Sequence, residues 1–269
     1  MNRLINGSNI FYEESGDSRG TPVVFVHGFP FSHEMWEPQM NAVGRSYRAI
    51  AYDVRGHGKS DVGDGQYSIE SHVDDLFGLL DDLKLRSVIV VGLSMGGYIV
   101  LRALEREQNR FAAAVLCDTR AEADSDEGKI RRFASIASVK KNGSAAFAEG
   151  FVKAVFAPGS FTANSNAVEK IRRTIEHTPP LSIAGTLLAL ASRTDTTRSL
   201  PSIAKPVLIL VGEHDMTTPP DASRLLHERI PGSELHVIPG AAHMSNLENP
   251  AVFNQHLLAF LRRIAPAAA

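Results

Sequence analysis

Gly92-Leu93-Ser94-Met95-Gly96 sets a serine between two glycines, directly after the apolar run Ser87–Val91 and directly before the helix-like stretch Tyr98–Leu104. A strand that turns sharply into a helix strains its central residue and leaves no room for side chains on either side, which is what the glycines supply. The serine then stands clear of the sheet with the first N–H groups of a helix beside it, where an anion is well received. The chemistry this favours is attack by an alcohol on an acyl carbon. At neutral pH an alcohol does this only with a base to take its proton. The plainer alternative is a glycine-rich turn with an incidental serine.

Other groups able to do acid–base work also fall just after apolar strand-like runs. His27-Gly28-Phe29-Pro30 follows Val23–Val26, and the segment from Asp53 to Ser60 (DVRGHGKS) follows Ala49–Tyr52. Gly212-Glu213-His214-Asp215 follows Val207–Val211, and Gly240-Ala241-Ala242-His243-Met244 follows Leu235–Ile238. Asp118 closes the run Arg110–Cys117 and is a rival carboxylate to Asp215. A hydroxyl, a carboxylate and an imidazole are therefore expected at one edge of one sheet, in the chain order Ser, Asp, His.

The elements that must position them alternate. Asn6-Gly7 reads as a hairpin turn. Strands are predicted at Pro22–Val26, Tyr47–Tyr52, Ser87–Val91, Arg110–Cys117, Pro206–Val211 and Glu234–Ile238. Helices are predicted over Ser32–Val43, with Pro38 bending or splitting it, after Ser68 as an N-cap, and over Asp221–Ile230. The last helix follows Asn249-Pro250, an N-cap with proline at the first helical position. The Ala-rich tail after Pro266 is expected to fray. From Thr119 to Ser199 the alternation stops. Four helices are expected there, near Glu127–Lys140, Ser144–Phe156, Val168–His177 and Leu181–Ala191, separated at Asn142-Gly143, Pro158-Gly159 and Pro179-Pro180. Alternating strands and helices imply a mostly parallel sheet covered on both faces, with ligands bound at the carboxyl ends of its strands.

Five motifs in order, HGFP, DVRGHGKS, GLSMGG, GEHD and GAAH, make the chain resemble the α/β-hydrolase superfamily over nearly its whole length. GLSMGG and GAAHMSNLENP are most similar to the 3-oxoadipate enol-lactonases and small bacterial carboxylesterases. The resemblance implies an eight-stranded, mostly parallel sheet flanked by helices. The core would be residues 1–118 and 200–269, with a helical cap, 119–199, inserted after the sixth strand. It implies Ser94 as nucleophile, His243 as base and Asp215 as the acid that orients the imidazole. The backbone N–H groups of Phe29 and Met95 would form the oxyanion hole. The side chains of Phe29, Met95 and Met244 would flank the substrate, or simply pack in the core. Asp53, Arg55 and His57 would fix loop structure. Phe133, Phe147, Phe151 and Phe156 would line an acyl pocket or form the cap's own core.

The implied activity is cleavage of a small-molecule carboxylic ester or lactone through an acyl-enzyme. Two alternatives stay open. A cofactor-free perhydrolase (a haloperoxidase in name) is suggested by Pro30 beside the oxyanion donor, although Pro30 also reads as a rigid turn. A ligand receptor that keeps the hydrolase shape is the other. Ser94 counts against the dehalogenases and epoxide hydrolases of this fold, which need aspartate there.

Composition narrows the field. The 269 residues are 43% hydrophobic and 22% charged with a formal net charge of -2, an ordinary soluble balance with no basic field for nucleic acid or an anionic membrane. No apolar run approaches membrane-spanning length. The N-terminal residues lack a signal peptide's apolar segment. The single Cys117 has no partner in the chain and sits in an apolar run, which suits a reducing cytoplasm. The histidine spacings match no metal motif, so neither metal nor cofactor is expected. Monomer and homo-oligomer are both compatible with the sequence.

Overall fold

In the computed structural model, which describes residues 1–265, the apolar runs become strands and the sheet they form is mostly parallel. The strands are β1 (Asn2–Ile5), β2 (Ser8–Ser15), β3 (Pro22–Val26), β4 (Arg48–Tyr52), β5 (Val88–Leu93), β6 (Phe111–Cys117), β7 (Val207–Gly212) and β8 (Glu234–Ile238). They lie in the order β1-β2-β4-β3-β5-β6-β7-β8. β1 and β2 form an antiparallel hairpin at one edge, and every pairing from β4 to β8 is parallel. Asn6 and Gly7 make the hairpin turn at φ 47 and φ 77. β5 and β7 are buried along their whole length, as strands covered on both faces must be.

The helices are α1 (Glu37–Val43), α2 (Ile69–Asp82), α3 (Met95–Glu107), α4 (Asp126–Val155), α5 (Ser160–Ala163), α6 (Ser165–His177), α7 (Pro180–Ala191), α8 (Pro220–Arg229), α9 (Ser245–Glu248) and α10 (Pro250–Ile264). Ser68 caps α2 through a reciprocal pair: its Oγ accepts the Ser71 N–H at 3.0 Å, and its own N–H donates to Ser71 Oγ at 3.0 Å. Asn249 caps α10 by accepting the Val252 N–H. The helix expected over Ser32–Val43 is divided. His33–Trp36 is a 3₁₀ turn, and α1 begins only at Glu37, with Pro38 in its first turn where the missing N–H costs nothing. The tail after Pro266 lies outside the described residues.

Between β6 and β7 the chain is helical, α4 to α7. Within α4 the backbone breaks at Gly143 (φ 78, ψ 176), so two helical stretches meet there at an angle. Phe147 and Phe151, on the second stretch, pack against Phe29 and Phe31 in the loop after β3, with ring centroids 5.8–6.1 Å apart. These helices thus rest on loops at the carboxyl ends of the strands.

The turn from β5 into α3 depends on two absent side chains. A Cβ on Gly92 would sit 2.4 Å from the Gly96 carbonyl oxygen, and a Cβ on Gly96 would sit 2.1 Å from the Val26 carbonyl oxygen. Both obstacles are backbone, so α3 itself would have to move. Gly96→Ala should therefore destabilise the fold by about 1–3 kcal/mol in urea unfolding. Wild-type stability in that variant would show that α3 is not held against β3.

Candidate active site

Ser94 sits between β5 and α3 at φ 55, ψ −113, a backbone region that L-residues rarely enter. Its conformation is held from three sides. Its N–H donates to the Cys117 carbonyl at 2.9 Å. Its carbonyl accepts the Tyr98 N–H and, at 2.8 Å, the Thr119 hydroxyl. The residue is 9% exposed, so its surroundings are largely dry.

Two strands away, Asp215 follows β7. Its Oδ1 accepts the N–H groups of Thr217 and Thr218 at 2.8 and 3.0 Å. Its Oδ2 accepts the Thr218 hydroxyl at 2.7 Å and His243 Nδ1–H at 2.8 Å. Burial raises the carboxyl's pKa, but the His243 charge, its hydrogen bond and the Thr218 donors outweigh burial and hold it below the usual carboxylate value. Donation from Nδ1 leaves the lone pair of His243 on Nε2. The imidazole is 2% exposed. No direct hydrogen bond joins it to Ser94 Oγ among the described residues. The bond from Thr217 N–H is the usual turn of an aspartate onto the backbone two residues on, whereas the Thr218 hydroxyl belongs to no sequence motif.

Asp118 ends β6 between these two positions but does not reach the imidazole. Its Oδ1 accepts the Gly212 N–H at 2.8 Å, and its Oδ2 pairs with the Ser245 hydroxyl. Burial and the neighbouring Asp215 charge drive its pKa well above the carboxylate range, against the pull of those two bonds. Of the two rival acids, the structure brings Asp215 to the histidine and assigns Asp118 to bracing the loop that carries it.

Met95 is the first residue of α3, so its N–H has no acceptor within the helix. The Phe29 N–H, in the turn after β3, donates to no backbone acceptor among the described residues. That turn is held by His27, whose Nδ1–H donates to the Gly28 carbonyl at 2.8 Å and whose Nε2 accepts the Val54 N–H at 2.9 Å. The Phe29–Pro30 peptide bond is cis. Asp53 accepts the N–H groups of His33 and Lys59, and Arg55 pairs with Asp75 at 2.6 Å, so both residues fix loop structure. His57 packs edge-on against Phe29, and burial pushes its pKa down to about 3.

A cavity of about 440 Å³ opens beside this edge. Phe29, Phe147, Phe151 and Leu187 give it apolar walls, and Thr217 and Pro219 connect it to the Asp215 loop. Met95 and Met244 are fully enclosed in the core. Phe156 is likewise buried, whereas Phe133 is 51% exposed at the surface and joins neither the pocket nor the core. A cleft of about 530 Å³ between Lys59 and the α6 residues Lys170 and Arg173 lies apart from these residues. Among the described residues no group of three or more His, Cys, Asp or Glu side chains is arranged to hold a metal ion, and no helix is long and apolar enough to cross a membrane.

A family model described as alpha/beta hydrolase fold matches residues 21–250. Over 258 residues the chain is 28% identical to 3-oxoadipate enol-lactonase 1 of Acinetobacter baylyi, covering 96% of this chain and 95% of that one. Over 272 residues it is 34% identical to the non-heme chloroperoxidase CPO-A1 of Kitasatospora aureofaciens, covering 96% and 98%. A thermophilic esterase from Thermogutta terrifontis, solved with malate bound, superposes with a TM-score of 0.94 at 34% identity over 98% of each chain.

The raised pKa of Asp118 has a thermodynamic consequence. The folded state keeps this proton to higher pH than the unfolded state does. Its stabilising contribution is therefore fully present below the ordinary carboxylate range and is lost as pH rises toward the raised value. Relative to Asp118→Asn, the wild type should lose stability as pH climbs from the ordinary carboxylate range, about 4, toward the raised value. Urea midpoints across that range measure it, and a difference that does not change with pH would contradict it.

Proposed function

The chain belongs to the alpha/beta hydrolase fold family, and from that premise we propose that it is a serine hydrolase cleaving small carboxylic esters or lactones. The reading rests on the 2.8 Å bond between His243 Nδ1 and Asp215 Oδ2 at the sheet edge where Ser94 is held at φ 55. With Nδ1 committed to Asp215, Nε2 is the base that takes the Ser94 proton as the hydroxyl attacks the acyl carbon. The Ser94–His243 contact then closes around substrate, as catalytic hydrogen bonds commonly tighten on binding. Asp215, ionised and holding four donors, stabilises the imidazolium that forms. The Phe29 and Met95 N–H groups receive the oxyanion. The imidazolium protonates the departing alcohol, which for a lactone stays tethered to the acyl chain. His243 then activates water against the acyl-enzyme, and Ser94 is freed. In this scheme residues 119–199 act as a cap over the core of 1–118 and 200–269. Phe29, Phe147 and Phe151 screen the acyl-enzyme from bulk water.

The cavity lining supports a narrower substrate class. Arg120, Arg131, Arg132 and Arg193 line the cavity against the single carboxylate of Asp124. Asp124 is shared by Arg132 and Arg193. Arg120 donates to the Thr217 carbonyl at 2.8 Å, and neither it nor Arg131 forms an ion pair among the described residues. In a chain of net charge -2, so cationic a lining attracts an acyl donor with a remote carboxylate. A second reading, a perhydrolase using the same residues, is favoured by the 34% identity to the named chloroperoxidase.

Turnover of p-nitrophenyl acetate should vanish in Ser94→Ala and fall about 10³–10⁴-fold in Asp215→Asn, while Asp118→Asn keeps most of it. Retained turnover in Ser94→Ala would end the serine mechanism. Peracid formation from acetate and hydrogen peroxide, at a rate rivalling ester cleavage, would move the assignment to the perhydrolase. The p-nitrophenyl hemiester of glutarate should have a lower KM than its neutral methyl ester. Arg131→Ala should raise the hemiester KM about threefold to tenfold and leave the neutral ester unchanged. Equal KM values for the two esters would remove the carboxylate preference.

A further inference from the structure

Glu248 is a buried carboxylate, 9% exposed, whose side chain forms no ion pair among the described residues. Burying a charge without a counter-ion is costly, and it persists only where donors are arranged to receive it. Three are. Oε1 accepts the Ala157 N–H at 2.7 Å and the Ser160 hydroxyl at 2.6 Å. Oε2 accepts the Ala242 N–H at 2.8 Å. Ala157 and Ser160 belong to the segment that joins α4 to α6, whereas Ala242 is the residue before His243. The residue after His243 is tied to the end of α4, since the Met244 N–H donates to the Val155 carbonyl at 3.2 Å. The Glu248 carbonyl accepts Asn164 Nδ2 at 3.1 Å. The backbone on both sides of His243 is thus fastened to the middle of the helical insertion, where α4 ends, and one carboxylate makes the link on the preceding side.

We infer that Glu248 is a positioning residue that ties the backbone beside His243 to the cap where α4 ends, so that the placement of the base depends on the seating of the cap. The inference rests on the proposed role of His243 as base. A carboxylate suits the task because all three of its neighbours donate. A glutamine would turn an N–H₂ toward one of them and break the link on that side. The coupling is tight because a backbone N–H, a hydroxyl and a second backbone N–H converge on two oxygens of one planar group. A displacement of the chain at Ala157 therefore passes to Ala242 through the planar carboxylate of Glu248 alone.

The test uses Ser160→Ala, which removes one cap-side donor and leaves Glu248 and the loop intact, together with Ser160→Thr and Glu248→Gln. The two readouts are kcat and KM for p-nitrophenyl acetate, and the low-field proton resonance of His243 Nδ1–H in its bond to Asp215. Ser160→Ala should lower kcat about threefold to tenfold with KM unchanged, since small misplacements of a base act on the chemical step. It should also shift or broaden the low-field resonance. Ser160→Thr, which keeps the hydroxyl, should restore both, and Glu248→Gln should exceed Ser160→Ala in both. Wild-type kcat and resonance in Ser160→Ala would overturn the inference, and so would a fall in kcat with the resonance unmoved. If Glu248→Gln does not fold, Ser160→Ala decides alone. If the wild type cleaves no ester and Ser94 stays unlabelled by a phosphonate, the hydrolase reading fails. The resonance then still decides whether Glu248 positions His243.

Discussion

The sheet edge that carries Ser94, Asp215 and His243 depends on one residue held where its backbone resists going. Ser94 at φ 55 carries a cost of about 1–3 kcal/mol for a non-glycine residue, and surrounding structure has to overrule it. Here the overruling is distributed. β6 takes the Ser94 N–H through Cys117, and Thr119 takes its carbonyl. The absent side chains at Gly92 and Gly96 let α3 come down onto β3 and β5. Strand pairing, helix packing and hydrogen bonding all converge on one dihedral. The hydroxyl is consequently fixed by the parts of the molecule least able to move, while Asp215 and His243 are carried on loops.

Those loops are governed by three buried carboxyls, and their differences follow from what faces each one. Asp215 receives two N–H groups, a hydroxyl and the imidazole, so the ionised form is stabilised in spite of burial. Asp118 has one N–H and one hydroxyl and stands near the Asp215 charge, so burial prevails and its pKa rises. Glu248 has three donors and no cation. Along the sheet edge Asp215 follows β7, the neighbour of the β8 strand that leads to His243, whereas Asp118 follows β6, one strand further off. The decision lies in the Asp215 loop, where Thr217 and Thr218 turn their N–H groups onto the carboxylate and aim its Oδ2 at the imidazole. Ser245 meanwhile ties Asp118 to the loop from the other side. A negative charge with four donors and a buried acid with two then sit on adjacent strands without both having to ionise freely.

Alternation of apolar runs with capped helices made the sheet and its flanking helices legible, because period and capping are local properties of the chain. Ser94, Asp215 and His243 were legible for a related reason: each follows a strand, and a parallel sheet delivers all such positions to one edge. What stayed hidden depends on contacts between distant segments. Glu248 reads as an ordinary acid before Asn249-Pro250, and only folding shows that Ala157 and Ser160, nearly a hundred positions upstream, supply its donors. The phenylalanines of 119–199 could not be sorted from sequence, since helical spacing places Phe133 and Phe147 on similar apolar faces. Only packing against Phe29 separates the pocket residue from the exposed one.

That separation leads back to Gly143. Nothing lies within 4 Å of where its Cβ would stand, so crowding does not explain the glycine. Its φ of 78 does, because only glycine enters that region at little cost and the break in α4 occurs there. Were α4 straight, Phe147 and Phe151 would continue along the axis set by Asp126–Asn142. The break redirects the second stretch and sets both rings, which helical spacing stacks one turn apart at 5.2 Å, against Phe29. Val155, at the end of that stretch, then meets Met244, and Ala157 just beyond it meets Glu248. One backbone angle therefore sets both the apolar wall on the substrate side and the anchorage of the histidine loop. The two would be expected to vary together when the insertion changes, while the hydroxyl at Ser94, braced by the sheet, stays where it is.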